Sequence, residues 1–359
     1  MLTDSKGGHA GVPRARKAAL RRAARPLLLV AGLAFVAYLV WRVGPAHVLA
    51  VLRDAGTWLP LVALLEMTFV ATDIVGLRFL LGDRVRAVGK RTWVRSTVLA
   101  YASTILLPTG RAAGEATRAA ILSDDVGVPF AVGVCARLQG AVLIANTVIS
   151  IFIAAVLFSA PGAARTALAV AILGNALACA VLGSLVFAVL RGQRLARWIQ
   201  GRFPRLAQRF APAGEGESAA AKMPERRRVA AAIACGVVGR LAQAAQFAVV
   251  MRAVGGAFTL SAALTAQGVQ IVGSTVGDVF PAQLGAAEGS YYAFASILGL
   301  GADPARAISI RILILTAQLS LAVVCLLVAA SIKGQSRELG DDASTSLPSP
   351  RERQRAEGP

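Results

Sequence analysis

Long apolar runs separated by short polar segments dominate the chain. They cover Pro26 to Trp41, Trp58 to Leu81, Phe130 to Phe158, Thr166 to Leu190, Val229 to Val254 and Ala305 to Ile332. Most reach or exceed the roughly 20 residues a helix needs to cross a bilayer core. The pattern therefore predicts six membrane-spanning helices. The first is read as an uncleaved helix, because no clear small-x-small cleavage site accompanies it. Four further stretches are apolar but short or interrupted: residues 96–107, 111–122, a Gly-punctuated 261–280, and 286–300. Residues 1–25 form a basic tail and 191–228 a basic linker. Residues 333–359, rich in Ser, Pro and charge, read as a disordered tail.

Composition changes this picture little. Hydrophobic residues make up 56% and charged residues 16%, against about 25% charged in an ordinary soluble domain. This composition argues against a soluble enzyme and for a polytopic membrane protein. The net charge of +19 would suggest nucleic acid in a soluble protein, but its distribution explains it otherwise. Lys and Arg number 7 in the N-terminal tail, 5 in 82–95, 10 in the linker and 5 in the C-terminal tail. The loops 42–57, 159–165, 255–260 and 301–304 carry 2, 1, 0 and 0. Cytoplasmic loops collect Lys and Arg. Both termini, residues 82–95 and the linker are thus expected in the cytoplasm of a bacterial-type inner membrane, with anionic lipid attracted to that surface. No nucleic-acid partner is needed. Cys135, Cys179, Cys235 and Cys325 lie in apolar runs without a CxxC pair and read as small hydrophobes. His9 and His47 lie in a tail and a loop. No metal, cofactor or His-based catalytic centre is expected, and no Walker motif appears.

The orientation has a consequence for residues 96–122. They must leave the cytoplasm and return to it, because 130–158 must also start inside. Each arm of 12 residues spans about 18 Å, short of a core of about 30 Å. A re-entrant hairpin with its tip near Pro108 and Gly110 meets both constraints. The same argument makes 261–300 a second hairpin, entering from outside, with its tip near Pro281 and Gly285. The two tips share a pattern, PTGRAAGE from Pro108 to Glu115 and PAQLGAAE from Pro281 to Glu288. A further Pro then opens the next span (Pro129, Pro304), and an intramembrane Arg follows (Arg137, Arg311). The order and near-equal spacing predict an inverted repeat, with halves at 26–190 and 229–332. Broken helices near the midplane of such repeats are the architecture of secondary transporters, because unpaired backbone is tolerated in a membrane only beside protein or water.

LLPTGRAAGEATRAAIL and FPAQLGAAEGSYYAFASILGLGADPARAISIRILIL resemble the two signatures of the lysylphosphatidylglycerol synthase transmembrane-domain family, also called flippase-like membrane proteins. The resemblance extends over roughly 25–332, with its specific motifs at 106–140 and 278–312. Two departures stand out. Gln283-Leu284-Gly285 replaces a run that often has consecutive glycines, and Gln139 stands where an acidic residue commonly follows the Arg. Larger members carry a soluble aminoacyl-transferase domain, for which the 27 residues after Ile332 leave no room. The resemblance therefore implies lipid binding and translocation without aminoacyl transfer.

Ionisable groups in a membrane cost several kcal/mol, about 2.5–3.5 on insertion scales, and mark function or pairing. Arg111, Glu115 and Arg118 fall at i, i+4 and i+7, one helix face, which could offer guanidinium forks to a lipid phosphate. Arg137, Glu288 and Arg311 are the other candidate substrate-binding residues, with a structural or gating pair the favoured reading of Glu288 and Arg311. Glu66, Asp73 and Asp278 could line the cavity or carry protons. Arg240 is a further candidate partner for the buried carboxylates, with Gln243 and Gln246 making a polar face beside it. The expected protein is an all-α polytopic membrane protein with about six spans and two re-entrant hairpins. It translocates a lipid or lipid-linked intermediate and is not itself an enzyme; homo-oligomers are compatible with this reading. The rivals are an accessory subunit of a lipid or glycan assembly pathway and a membrane enzyme acting on lipid headgroups.

Overall fold

The computed structural model describes residues 40–107, 110–159, 161–191, 226–277, 285–300 and 303–345, together with 34, 37 and 38. Within them the chain is helical and contains no strand. Helix α1 spans Pro45–Ala55 and α2 Leu59–Leu81, joined by a 3-10 turn at Gly56–Trp58. The hairpin arms are α3, Lys90–Leu106, and α4, Arg111–Val126. Helices α5, Val128–Phe158, and α6, Ala163–Arg191, complete the first half. The second half comprises α7 (Arg226–Ala253), α8 (Leu260–Gly277), the short α9 (Ala286–Ala293) and α10 (Pro304–Thr345). Prolines stand in the first turn of α1, α2, α5 and α10, where the missing N–H has no intrahelical acceptor to lose.

Among the described residues, five stretches are long and apolar enough to cross a membrane: Pro45–Arg86, Val128–Phe158, Ala163–Leu190, Arg226–Ala253 and Pro304–Ile332. The protein is a multi-pass membrane protein. The sixth predicted span, Pro26 to Trp41, lies almost wholly outside the described residues, as do Pro108, Pro281, Asp278 and most of the basic linker. Leu177, Leu327 and Phe152 lie on the outer faces of α6, α10 and α5 among many exposed large apolar side chains, the pattern of helices facing lipid rather than water.

The arms of the first hairpin are longer than their apolar runs. Helix α3 has 17 residues and α4 has 16, about 24–26 Å each at 1.5 Å per residue. The added turns contain Lys90, Arg91, Asp124 and Asp125. A helix keeps its backbone bonds when its side chains turn polar, so the apolar run marks the lipid and not the helix end. Neither arm is among the five crossing stretches. The same logic carries α10 past Ile332 to Thr345, into the segment whose composition suggested disorder. The last residues, 346–359, lie outside the described ones.

Packing exchanges elements between the halves. Helix α2 packs along α7; α3 packs on α4 and on α10 of the other half; α8 packs on α9 and on α5 of the first half. The arms within each hairpin meet at small residues. A Cβ on Gly114 would stand 2.6 Å from the Ala100 carbonyl oxygen and against Thr104 Oγ1, and one on Gly273 would stand 2.9 Å from Ala287 Cα. Apolar side chains form three buried clusters. Buried among the same helices is a set of polar groups that includes Glu66, Arg118, Arg137, Gln246, Glu288 and Arg311.

Candidate functional site

Most of these buried polar residues, Arg137 apart, sort into two connected networks. The first ties the hairpin to its own half. Arg118 on α4 donates to Glu115 Oε1 at 2.8 Å, one turn earlier, and to Asp73 Oδ2 on α2. Gln139 on α5 donates to the same Glu115 oxygen at 2.6 Å. One guanidinium thus holds two carboxylates from two helices, with an amide from a third. Burial makes such a set cohesive, because removing one charge leaves the others uncompensated. Glu115 Oε2 and Arg118 Nε are buried without a hydrogen-bond partner among the described residues.

The second network crosses between the halves. Glu66 on α2 is 1% exposed and accepts three hydrogen bonds from three helices. Tyr101 Oη on α3 donates at 2.9 Å, Gln246 Nε2 on α7 at 2.9 Å and Gln318 Nε2 on α10 at 3.3 Å. Gln246 also donates to the Val62 carbonyl oxygen at 3.1 Å. Arg311 donates to Gln318 Oε1 at 3.5 Å and lies 3.6 Å from Glu288 Oε1. The other oxygen of Glu288 accepts the N–H of Gly285 at 2.7 Å. That bond satisfies an orphan donor at the start of α9. A continuous path therefore runs from the second hairpin tip through α10 to α2, α3 and α7.

The expected face of three residues divides. Glu115 and Arg118 come together, but Arg111, the first residue of α4, is exposed. Glu66 and Asp73, both expected to line the cavity or carry protons, belong to different networks. Arg137 is buried on α5. Gly110 and Gly285 lead into α4 and α9 with φ of 50° and 85°, conformations that a side chain disfavours.

Two further features adjoin or lie apart from the networks. Arg240 lines a small pocket between α2, α5 and α7, with Phe69, Thr72, Asp73 and Gly76 on the α2 side. At the other end of the fold, His47 Nε2 meets Asp303 Oδ2 at 3.1 Å, joining α1 to the start of α10. Asp303 also caps α10, accepting the Ala305 N–H at 2.8 Å and the Arg306 N–H at 3.5 Å. Its partial burial disfavours the charge, but the bonds from His47 and the two backbone N–H groups outweigh it. The carboxyl is held below its ordinary range.

The family described as "Lysylphosphatidylglycerol synthase TM region" matches residues 27–329. The chain belongs to this family. No curated protein and no solved structure gives a significant match. The lysylphosphatidylglycerol synthase TM match takes in both networks, four of the five described spans whole and the fifth as far as residue 329. Within that frame, Gln139 has a structural meaning. An acid in its place would add a third carboxylate to Glu115 and Asp73, whereas the amide donates to Glu115.

Sequence reading did not single out Tyr101 or Gln318. Tyr101 is one polar handle in an apolar arm, and its only signal is a phenol where phenylalanine would pack as well. Gln318 follows Arg311 by seven residues, so the two share a face of α10. That spacing was available in the sequence. The pairing of Glu66 with Gln246 was not, since it bridges 180 residues.

Proposed function

We propose that this protein binds the polar headgroup of a membrane lipid or lipid-linked intermediate between its two hairpins and moves it across the bilayer. The observation that carries this reading is the Glu66 network, a buried polar lattice joining both halves inside a protein whose outer faces are apolar. Groups this costly to bury are retained in membranes where they pair, line a path or both. Family membership supports a lipid as the cargo.

The internal repeat supports the mechanism. The spacing that carries Pro108 onto Pro281 and Glu115 onto Glu288 also carries Ala100 onto Gly273 and Gly114 onto Ala287. Those are the small residues where the arms of each hairpin touch. Each hairpin's first arm packs on the last span of the other half. In this reading the halves are inverted copies with both termini cytoplasmic, and one rocks against the other while the hairpin tips flank the headgroup. Arg118 and Arg311 hold the hairpins in register rather than gripping the lipid, because carboxylates already face their guanidinium groups. The protein carries no chemistry of its own in this account.

The test is reconstitution into proteoliposomes holding a panel of headgroup-labelled lipids, with an impermeant reagent destroying the outer-leaflet label. Protein-dependent loss of inner-leaflet label for at least one lipid class is expected. Equal rates with and without protein across the panel would reject translocation.

A further inference from the structure

Two glutamines of α8 stand apart from both networks. Gln267 is 2% exposed, and its Nε2 donates to the Arg240 carbonyl oxygen on α7 at 3.3 Å. Only the N–H end of an amide makes that bond, so the Oε1 end is turned elsewhere. That oxygen is buried without a hydrogen-bond partner, as is Oε1 of Gln270, three residues on. The Gln270 side chain makes no hydrogen bond among the described residues. Their spacing puts both on one side of α8, a turn apart. Gln267 meets α7, and Gly273, one turn beyond Gln270, packs on Ala287 of α9. Gln270 therefore faces the seam between α7 and the returning arm of the second hairpin. Packing does not ask for these amides. The spacing that carries Pro108 onto Pro281 carries Val94 onto Gln267 and Thr97 onto Gln270. In the first hairpin that face is complete, because Val94 is apolar and Thr97 Oγ1 donates to the Trp93 carbonyl oxygen at 3.2 Å. A buried carbonyl oxygen without a donor is costly, and a ligand bearing O–H groups removes the cost. An ammonium between neutral amides would keep its charge unpaired. A hydroxyl carries no charge, and it donates and accepts as an amide does.

We propose that Gln267 and Gln270 form a hydroxyl-recognising subsite that selects a lipid with an uncharged, sugar-type headgroup. This rests on the reading that a lipid headgroup passes between the hairpins, and it names the headgroup class. Each amide oxygen accepts one sugar O–H. Residues one turn apart have Cβ atoms about 5–6 Å from each other, so both amides reach hydroxyls of a single ring. The two oxygens are enclosed in this conformation, and the second hairpin parts from α7 to admit the sugar. The acyl chains stay in the bilayer.

The experiment measures binding, not transport. Purified full-length protein in mixed micelles is titrated with radiolabelled glucosyldiacylglycerol. Diacylglycerol of the same chains is the sugar-free probe, phosphatidylethanolamine the ammonium-bearing one, and glucose the lipid-free competitor. Glucosyldiacylglycerol is expected to bind most tightly. Gln270→Met keeps the side-chain length and removes the acceptor. It should weaken glucosyldiacylglycerol binding by about 5-fold, the worth of one neutral hydrogen bond. Its unfolding temperature should hold or rise, since no bond within the protein is lost. Gln267→Met should weaken binding at least as much and lower the unfolding temperature, because the bond to Arg240 goes with it. Thr97→Val, at the matching position of the first hairpin, should leave affinity unchanged. Unchanged affinity in folded Gln270→Met and Gln267→Met would mean that the amides hold ordered water only, and would overturn the subsite. Should one of the two not fold, the other decides alone. Equal binding of diacylglycerol would overturn it as well. Phosphatidylethanolamine binding that is as tight and as sensitive to Gln270→Met would make the site one for ammonium and overturn the hydroxyl assignment. Full competition by millimolar glucose would make it one for free sugar and overturn the lipid assignment. Gln270-dependent binding without any lipid movement in proteoliposomes would leave the subsite and remove the translocation reading. Undiminished movement of glucosyldiacylglycerol in both glutamine variants would do the reverse.

Discussion

Arg118 illustrates what a buried charge does in this protein. Its fork holds Asp73 and Glu115, and Gln139 completes the set. Arg118→Gln should destabilise the protein by about 3 kcal/mol, since it leaves two carboxylates facing each other away from water. Adding Asp73→Asn to Arg118→Gln should cost less than the two single changes together, because the pair is coupled. Thermal unfolding in detergent of the two single variants and the double reads this coupling, and strict additivity would show that the contact carries none. Asp303 makes the opposite case, a carboxylate at the water boundary. Its folded-state pKa is depressed, so its contribution is present above the unfolded value of about 4. That contribution is lost as pH falls through the lower folded value. Asp303→Ala should therefore cost about 1 kcal/mol at pH 7, the worth of an N-cap. The difference from wild type should fade once the pH is below both values. A difference that persists unchanged into strong acid would mean that the carboxylate charge is not what holds the start of α10.

At the scale of elements, the hairpins depend on close approach between short helices. Gly114 admits no Cβ against Ala100 and Thr104, whereas Gly133 on α5 has nothing within 4 Å of where a Cβ would stand. Gly114→Ala should force the arms apart and destabilise the protein by more than the roughly 0.4–1 kcal/mol that Gly133→Ala gains from helix propensity and reduced unfolded-state entropy, so the two should shift the unfolding temperature in opposite directions. Similar shifts of the same sign would remove the close packing of α3 and α4 from the account. Much of this element was legible beforehand. Pro108 and Gly110 marked the break, and Pro129 marked the start of α5. The lengths were not, because hydropathy stops at Ser96 while the backbone continues to Lys90. Within the site, local spacing exposed the Glu115 and Arg118 pair. It could not expose the Glu66 network, whose donors on α3, α7 and α10 are brought together only by tertiary packing. Nor could it say which guanidinium bonds a carboxylate directly. Arg118 and Arg240 read alike in sequence, and only their neighbours separate them.

At the scale of the molecule, labelling reads orientation and a cross-link reads motion. Single cysteines placed in a Cys-free background at position 210 and at position 162 should react with impermeant reagents from the cytoplasmic and the outer side respectively. An outward-reactive position 210 would contradict the charge-based topology and, with it, the inverted relation of the halves. Motion between halves is the core of the functional account, and the fold supplies its own restraint. A Cβ at Gly76 on α2 would stand 3.7 Å from Cys235 Cβ on α7, a separation a disulfide accepts. The decisive measurement is lipid movement in proteoliposomes by a Gly76→Cys protein that keeps Cys235 and lacks the other three cysteines. If the halves rock against each other around a lipid headgroup, translocation proceeds in the reduced protein, stops on oxidation and returns on reduction. Equal rates in the oxidised and reduced states, with the cross-link formed, would contradict that account.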